Sequence, residues 1–335
     1  MIDRRTFLCA ALTLPAPAQT RVAGGIPKRR LGRTGEEVSI LAMGGAHLGR
    51  VGAKDQALAT RMLRTAVDGG MTFMDNAWDY LNGEAETVMG KALADGWRER
   101  VFLMSKNCGR DYKTSMANLE ESLRRLGTDR LDLWQFHEIN YDNDPDWVME
   151  RGPLKAALEA QKAGKVRHIG FTGHKDPSIH LKMLGKGFQW TTAQMPINPL
   201  DAFYRSFQNE VLPVCVKRGV SAIGMKCLGG GPYVARIPSK TRLTAEQCVR
   251  YALSLPITSL CRGYTTLEQV EADLAIGRDF RPLGLEAKRE ILALARPEAE
   301  DGRHELFKST QFFDGPTHRV QHGFETAGPT ASTTR

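Results

Sequence analysis

The sequence predicts an α/β fold: a closed (β/α)8 TIM barrel with an N-terminal β-hairpin and a C-terminal helical and irregular extension. Three observations carry it. Eight short apolar runs alternate, up to about residue 278, with segments whose apolar residues recur at helical spacing. The runs are apolar almost throughout, as strands covered on both faces are, which suits a parallel sheet wrapped by helices. After the first run, Met43-Gly44-Gly45-Ala46-His47-Leu48-Gly49 lacks the G-x-G-x-x-G spacing that an open dinucleotide-binding sheet ordinarily carries. With 335 residues, 41% hydrophobic and 25% charged, the chain is neither disordered nor a small disulfide scaffold, and one large barrel core is within its reach.

Residues 1–18 read as an export signal. Arg4-Arg5 precede a short apolar run to Leu14, and Pro15-Ala16-Pro17-Ala18 supplies small residues for cleavage, a pattern that resembles twin-arginine signals. The run is too short to span a bilayer, so no stable membrane insertion is expected, and the chain is placed in the periplasm or outside the cell, or in the cytoplasm if the signal is not used. Residues 19–27 are a linker. Lys28–Leu31, the turn Gly32–Gly35 and Val38 onward form a hairpin that plugs the N-terminal end of the barrel.

Within the barrel segment, residues 28–278, the strands are Val38–Met43, Thr72–Asp75, Val101–Ser105, Leu131–His137, Arg167–Thr172, Thr191–Met195, Val220–Lys226 and Ile257–Arg262. Leu58, Met62, Leu63, Ala66 and Val67, and later Met116, Leu119, Leu123 and Leu126, mark apolar helix faces between them. Gly69-Gly70, Gly127, Gly164 and Gly219 stand where helix C-caps are wanted. Residues 279–335 are read as one helix near Leu285–Leu294 followed by a mobile polar tail.

The formal charge of +8 attracts anions, but the Lys and Arg residues are dispersed and no basic stripe with interleaved aromatics occurs, so nucleic acid is not an expected partner. The six cysteines form no C-x-x-C pair and no Cys/His cluster at zinc-ligand spacing, which gives no expectation of a metal. Cys227 and Cys261 fall on neighbouring strands and are a candidate bridge if the chain is exported.

A barrel of this kind does its chemistry at the C-terminal ends of its strands. The second strand ends in Asp75, the third runs into Lys106 and the fourth ends in His137, while Tyr80 lies on a loop that reaches the same mouth. Asp75-Asn76-Ala77-x-x-Tyr80, Gly83-x-x-Glu86-x-x-Met89-Gly90, Ser105-Lys106, Leu119-x-x-Ser122-Leu123-x-x-Leu126 and Leu131-Asp132-Leu133-x-x-x-His137 together resemble the aldo-keto reductases, and the resemblance runs from about Lys28 to Asp273.

That resemblance implies an NAD(P)H-dependent oxidoreductase that interconverts an aldehyde or ketone, sugar-derived or small, with an alcohol. Tyr80 is then the acid and base, Lys106 eases its ionisation, Asp75 holds the ammonium, and His137 donates to the substrate oxygen. The implied cofactor residues are Gly45, Thr172, Gln194, Asn198, Met225, Lys226, Leu228, Gly230, Arg262, Gly263, Thr265, Gln269 and Asp273. The chain departs from the family pattern at Thr172-Gly173, where a Ser-Asn pair is usual, and at Met225, where an aromatic ring is common. Gly229-Gly230-Gly231 suits either a pyrophosphate contact or a plain surface loop. NADP(H) and NAD(H) both remain open, NADP(H) by family habit, because Gly263, Thr266 and Gln269 offer no guanidinium for a 2′-phosphate and Arg262 is one position away. His47, Trp78, Asn107 and Glu138 are expected to line the substrate pocket. Two other readings of the fold are a weakly catalytic nucleotide-sensing module and an aldolase in which Lys106 forms a Schiff base.

Overall fold

The computed structural model describes residues 12–230, 236–311 and 313–325. Of the expected export signal, residues 1–11 lie outside the described residues. Eight parallel strands close into a barrel: β4 (Leu41–Gly44), β5 (Phe73–Asp75), β6 (Phe102–Asn107), β7 (Leu131–Phe136), β8 (Val166–Thr172), β9 (Thr192–Pro196), β10 (Ser221–Met225) and β11 (Ser259–Arg262). Each neighbours the next in chain order, and β11 returns to β4. Helices separate the strands as the periodicity required, the longest being Tyr112–Leu126, which Asp111 caps by accepting the Thr114 N–H and Gly127 ends in a left-handed conformation.

Ahead of the barrel, β2 (Lys28–Arg30) and β3 (Glu37–Ser39) pair antiparallel, and β1 (Gln19–Thr20) adds a third strand against β2. The span 19–27 is therefore not only a linker: Gln19 pairs with Arg29 and Thr20 with Lys28 along a sheet edge. Leu31 and Val38 are fully buried against Ala42, Phe73, Phe102, Met104, Leu133 and Ile223, the inward-facing side chains of the barrel, so the hairpin does plug its lower end.

Register fixes the upper end. Gly44 pairs with Asp75, Asp75 with Met104, Lys106 with Gln135, and Thr172 with Gln194. Side chains alternate along a strand, so Asp75, Lys106 and Gln194 share the inward parity and end at one mouth.

The tail reading is overturned for residues up to 325. The helix Leu285–Ala295 is followed by the helices Leu306–Ser309 and Pro316–Gln321, and Phe307, Lys308, Asp314 and His318 are buried. Polar contacts with the barrel rim hold this segment. Asp314 accepts from Tyr141 Oη at 2.5 Å, from Asn140 Nδ2 at 3.1 Å, and pairs with Lys175 at 3.0 Å. Among the described residues no helix is long and apolar enough to cross a membrane. Cys108, Cys215, Cys227, Cys248 and Cys261 are all free thiols, so Cys227 and Cys261 are not bridged here.

One buried histidine sets an acid limit on this fold. His180 packs against Phe171 and Phe207, and its Nε2–H donates to the Gln194 carbonyl at 3.1 Å. Burial lowers its pKa to about 4. Its folded value lies below the ordinary 6.5, so its contribution is complete above pH 6.5 and is lost as pH falls toward 4, about 3 kcal/mol in all. Denaturant unfolding of His180→Gln is expected to show a flatter acid limb than the parent; equal slopes from pH 7 to 4.5 would refute the assignment.

Candidate active site

A cavity of about 820 Å³ opens at the C-terminal end of the barrel. Its floor holds Asp75, Tyr80 and Gln194, and its walls come from the ends of β4, β10 and β11 and the segments after them. Lys106 lies beneath Tyr80, almost wholly buried. Its ammonium forms a short ion pair with Asp75, donates to the Asn76 carbonyl at 2.7 Å and reaches the Tyr80 hydroxyl at 3.4 Å. Gln194 Nε2 donates to the other Asp75 oxygen at 2.6 Å, which leaves Gln194 Oε1 buried with no hydrogen-bond partner among the described residues.

Tyr80 is carried by a tight 3-10 turn in which Leu81 and Asn82 adopt left-handed φ angles of 53° and 55°, a conformation that costs free energy for side-chain-bearing residues. The turn points the phenol back over the barrel mouth. Its pKa lies well above the ordinary value because burial, then the Asp75 and Asp79 carboxylates, disfavour the phenolate. The expected easing of ionisation by Lys106 is thus outweighed: Asp75 absorbs much of that positive charge, and Tyr80 stands as a neutral phenol with a proton to give.

His137 follows β7, its ring edge-on to Tyr80 with centroids 5.5 Å apart. Its Nδ1 lies 3.1 Å from Asp79 Oδ1. Burial alone would raise the Asp79 carboxyl, but the His137 imidazole, with His318 and Lys106, overrides this and holds it well below the carboxylate range. A carboxylate only accepts, so the proton of the neutral imidazole sits on Nδ1. Burial lowers the pKa of His137 itself. Nε2 is then left with a lone pair, 3.7 Å from Glu138 Oε1. Burial, then the Asp314 and Asp79 carboxylates, push Glu138 up to about 8.

Nine expected cofactor residues line the cavity: Gln194, Met225, Lys226, Leu228, Gly230, Arg262, Gly263, Thr265 and Gln269. Lys226 holds a left-handed φ of 57°, and burial lowers its pKa. Gly263 admits no side chain, since a Cβ there would meet the His47 ring at 2.2 Å. The other four do not line it. Gly45 faces Asn76, whose side chain a Cβ would meet at 2.6 Å. Thr172 is buried at the end of β8, where its carbonyl accepts the Ile139 N–H at 2.7 Å. Asn198 caps the Leu200 and Asp201 N–H groups and donates to Glu305 at 2.8 Å, a loop brace rather than a ligand contact. Asp273 binds Arg262 at 2.7 Å and Tyr264 at 2.9 Å, so it positions the guanidinium from behind.

Of the expected substrate-pocket residues, His47 lines the cavity and three do not. Trp78 donates to Glu121 at 2.6 Å under Arg125, Asn107 donates to Ser115 at 2.9 Å, and Glu138 accepts the Gly315 N–H at 3.1 Å beneath the C-terminal segment. Lys106 and His137 are likewise covered, in contact with the cavity only through Tyr80 and Asp75. Four residues of the site were not expected from the sequence: Arg50 and Lys54, which line the cavity, and Asp79 and His318, which pack around His137. Asp79 directly precedes Tyr80 and was open to notice, whereas nothing local marks His318, 181 positions along the chain from His137.

Comparison with known proteins matches residues 40–277 to the aldo/keto reductase family model. The chain is 27% identical to the 6-dehydroglucose reductase of Novosphingobium aromaticivorans over 257 residues, covering 71% of this chain and 81% of that one. It is 26% identical to the L-galactose dehydrogenase of Arabidopsis thaliana over 316 residues, covering 81% and 95%. The holo form of an aldo-keto reductase from Bacillus halodurans superposes with a TM-score of 0.67 at 23% identity, over 83% of this chain and 99% of that one, a likeness of fold. The matched span contains the whole barrel and every residue of the mouth except the C-terminal segment. The chain belongs to the aldo/keto reductase family and is an oxidoreductase of carbonyl and alcohol groups.

Proposed function

We propose that the chain reduces an aldehyde or ketone, or oxidises the corresponding alcohol, with NADP(H) or NAD(H) held in the large cavity. The observation that carries this reading is Gln194: a buried amide oxygen with no partner among the described residues, fixed by Asp75 beside Tyr80, is a ready acceptor for the carboxamide of a nicotinamide. The bound nicotinamide supplies hydride to the carbonyl carbon.

The chain's own residues do the rest. Tyr80, kept neutral by burial and two carboxylates, gives its proton to the carbonyl oxygen as charge grows there. Lys106, 3.4 Å from that hydroxyl, stabilises the phenolate left behind, and Asp75 holds the ammonium. His137 packs edge-on behind the Tyr80 ring and steadies the phenol from the side away from the cavity. Lys226 and Gly230, which line the cavity together, suit a pyrophosphate, and Arg262, braced by Asp273, a ribose phosphate. Sugar-derived carbonyls, or the corresponding sugar hydroxyls in the oxidative direction, are the favoured substrates, by analogy with the sugar relatives. The Arg4-Arg5 motif supports export to the periplasm, which suits a protein that folds around its cofactor before leaving the cytoplasm.

The test is cofactor oxidation by the purified chain on a panel of small aldehydes and aldoses, with NADPH and NADH in separate arms. Aldehyde-dependent oxidation together with dinucleotide quenching of tryptophan fluorescence is the expected result. Quenching with no turnover on any carbonyl would instead identify the nucleotide-sensing module. Irreversible labelling of Lys106 by borohydride in the presence of substrate would identify the aldolase, which the Asp75 ion pair disfavours by engaging the nitrogen that would have to attack.

A further inference from the structure

Beside Tyr80 and away from the cofactor cavity, four side chains of metal-ligating type meet in the interior. Asp79, Cys108, His137 and His318 each bring one donor atom, and these four atoms all lie within 4.8 Å of one another. Asp79 Oδ1 is 3.1 Å from His137 Nδ1, Cys108 Sγ is 3.8 Å from the same nitrogen, and His318 Nε2 is 4.0 Å from Asp79 Oδ2. A tetrahedral ion with bonds of about 2.0–2.3 Å sets its donors about 3.3–3.8 Å apart, so donors spread over as much as 4.8 Å draw in by about an ångström to close the site.

We propose that Asp79, Cys108, His137 and His318 form a tetrahedral site for a borderline divalent cation, best fitted by Zn²⁺. Charge supports it: one carboxylate and one thiolate neutralise a divalent ion in a place where net charge is costly. Donor chemistry supports it too, since Ca²⁺ and Mg²⁺ take oxygen ligands while a Cys/His/Asp set suits zinc. His318 is wholly buried here: its Nε2 accepts the Glu138 N–H at 3.2 Å, and its Nδ1 has no partner among the described residues. The frame is also fixed in advance. Arg110 donates to the carbonyls of His137 at 2.7 Å and Glu138 at 2.9 Å, and Gln321, in the same helix as His318, donates to the Cys108 carbonyl at 2.8 Å.

Binding exchanges two hydrogen bonds, Asp79 with His137 and the Glu138 N–H with His318 Nε2, for coordinate bonds. The Cys108 thiol proton leaves to solvent, and the His137 proton moves from Nδ1 to Nε2; no oxidation is involved. Two consequences follow from the positions of the ligands. The ion ties the C-terminal segment to the barrel mouth through His318. It also turns His137 Nε2 from an acceptor into a donor, the form that a carbonyl oxygen needs. This second consequence rests on the reductase reading.

The test uses the full chain loaded with Zn²⁺ or Co²⁺ and then desalted. Expected are about one zinc per chain, and for cobalt an intense tetrahedral visible spectrum with a near-ultraviolet thiolate band. Cys108→Ser should abolish the thiolate band, and His318→Gln should weaken zinc binding by roughly tenfold or more. Zinc at background levels, a weak octahedral cobalt spectrum, or spectra unchanged in His318→Gln would overturn the site. His318→Gln lies in the terminal helix and carries the test if Cys108→Ser fails to fold. Nicotinamide binding read by fluorescence should be the same with and without metal, whereas kcat for carbonyl reduction should rise on loading. A cobalt spectrum as described with no turnover on any carbonyl leaves the metal site standing and removes the reductase reading.

Discussion

Tyr80→Phe is expected to lower kcat for carbonyl reduction by roughly 10²- to 10⁴-fold and to leave dinucleotide binding intact. The hydroxyl is the one group on the cavity floor that is both neutral and positioned to give a proton, with Lys106 3.4 Å away to take up the charge left behind. The phenyl ring keeps the edge-on packing against His137, so the loss is chemical and not structural. Steady-state kinetics with fluorescence titration of the cofactor decides it. A variant with unaltered kcat would remove Tyr80 from the role, and one that also loses cofactor affinity would point to a collapse of the strained turn at Leu81-Asn82.

Lys308→Met is expected to destabilise the fold by about 3–5 kcal/mol, a fall in Tm of roughly 10 °C. Lys308 is wholly buried and donates to Asp201 at 2.6 Å, Glu305 at 3.0 Å and the Tyr204 carbonyl at 2.8 Å. Without the ammonium, two interior carboxylates face each other unpaired. Burial already holds both above the ordinary carboxylate range. Adding Glu305→Gln to Lys308→Met should recover part of the loss. Thermal unfolding followed by circular dichroism measures both, and a Tm within 2 °C of the parent would show that the triad does not anchor the segment.

The barrel was legible because its signals are local. Each strand, such as Leu131–Phe136, shows itself as an apolar run, and the chemistry at its end follows within one or two residues. The C-terminal segment was not legible for the opposite reason. Its residues 305–322 are polar and short in helix, and they become ordered only through partners far along the chain: Asp314 with Tyr141 and Lys175, Lys308 with Asp201, His318 over Glu138. A polar stretch without periodicity resembles a tail until those partners are placed. The same limit explains Asn198 and Asp273. Their positions in the chain fit the family pattern, but a second partner, Glu305 for one and Arg262 for the other, turns each away from the cavity. Thr172 stayed out of the cavity because its place is set by the β8–β9 ladder.

Hydride transfer to a carbonyl carbon held against Tyr80 is the step on which the site's reading depends. It is checked by single-turnover reduction of a small aldehyde, with cofactor carrying deuterium on the transferable face of nicotinamide C4 in ordinary water. The expected product is an alcohol with deuterium on its carbinol carbon and a solvent proton on its oxygen. Alcohol with no deuterium on carbon, or cofactor bound and aldehyde unchanged, would contradict it.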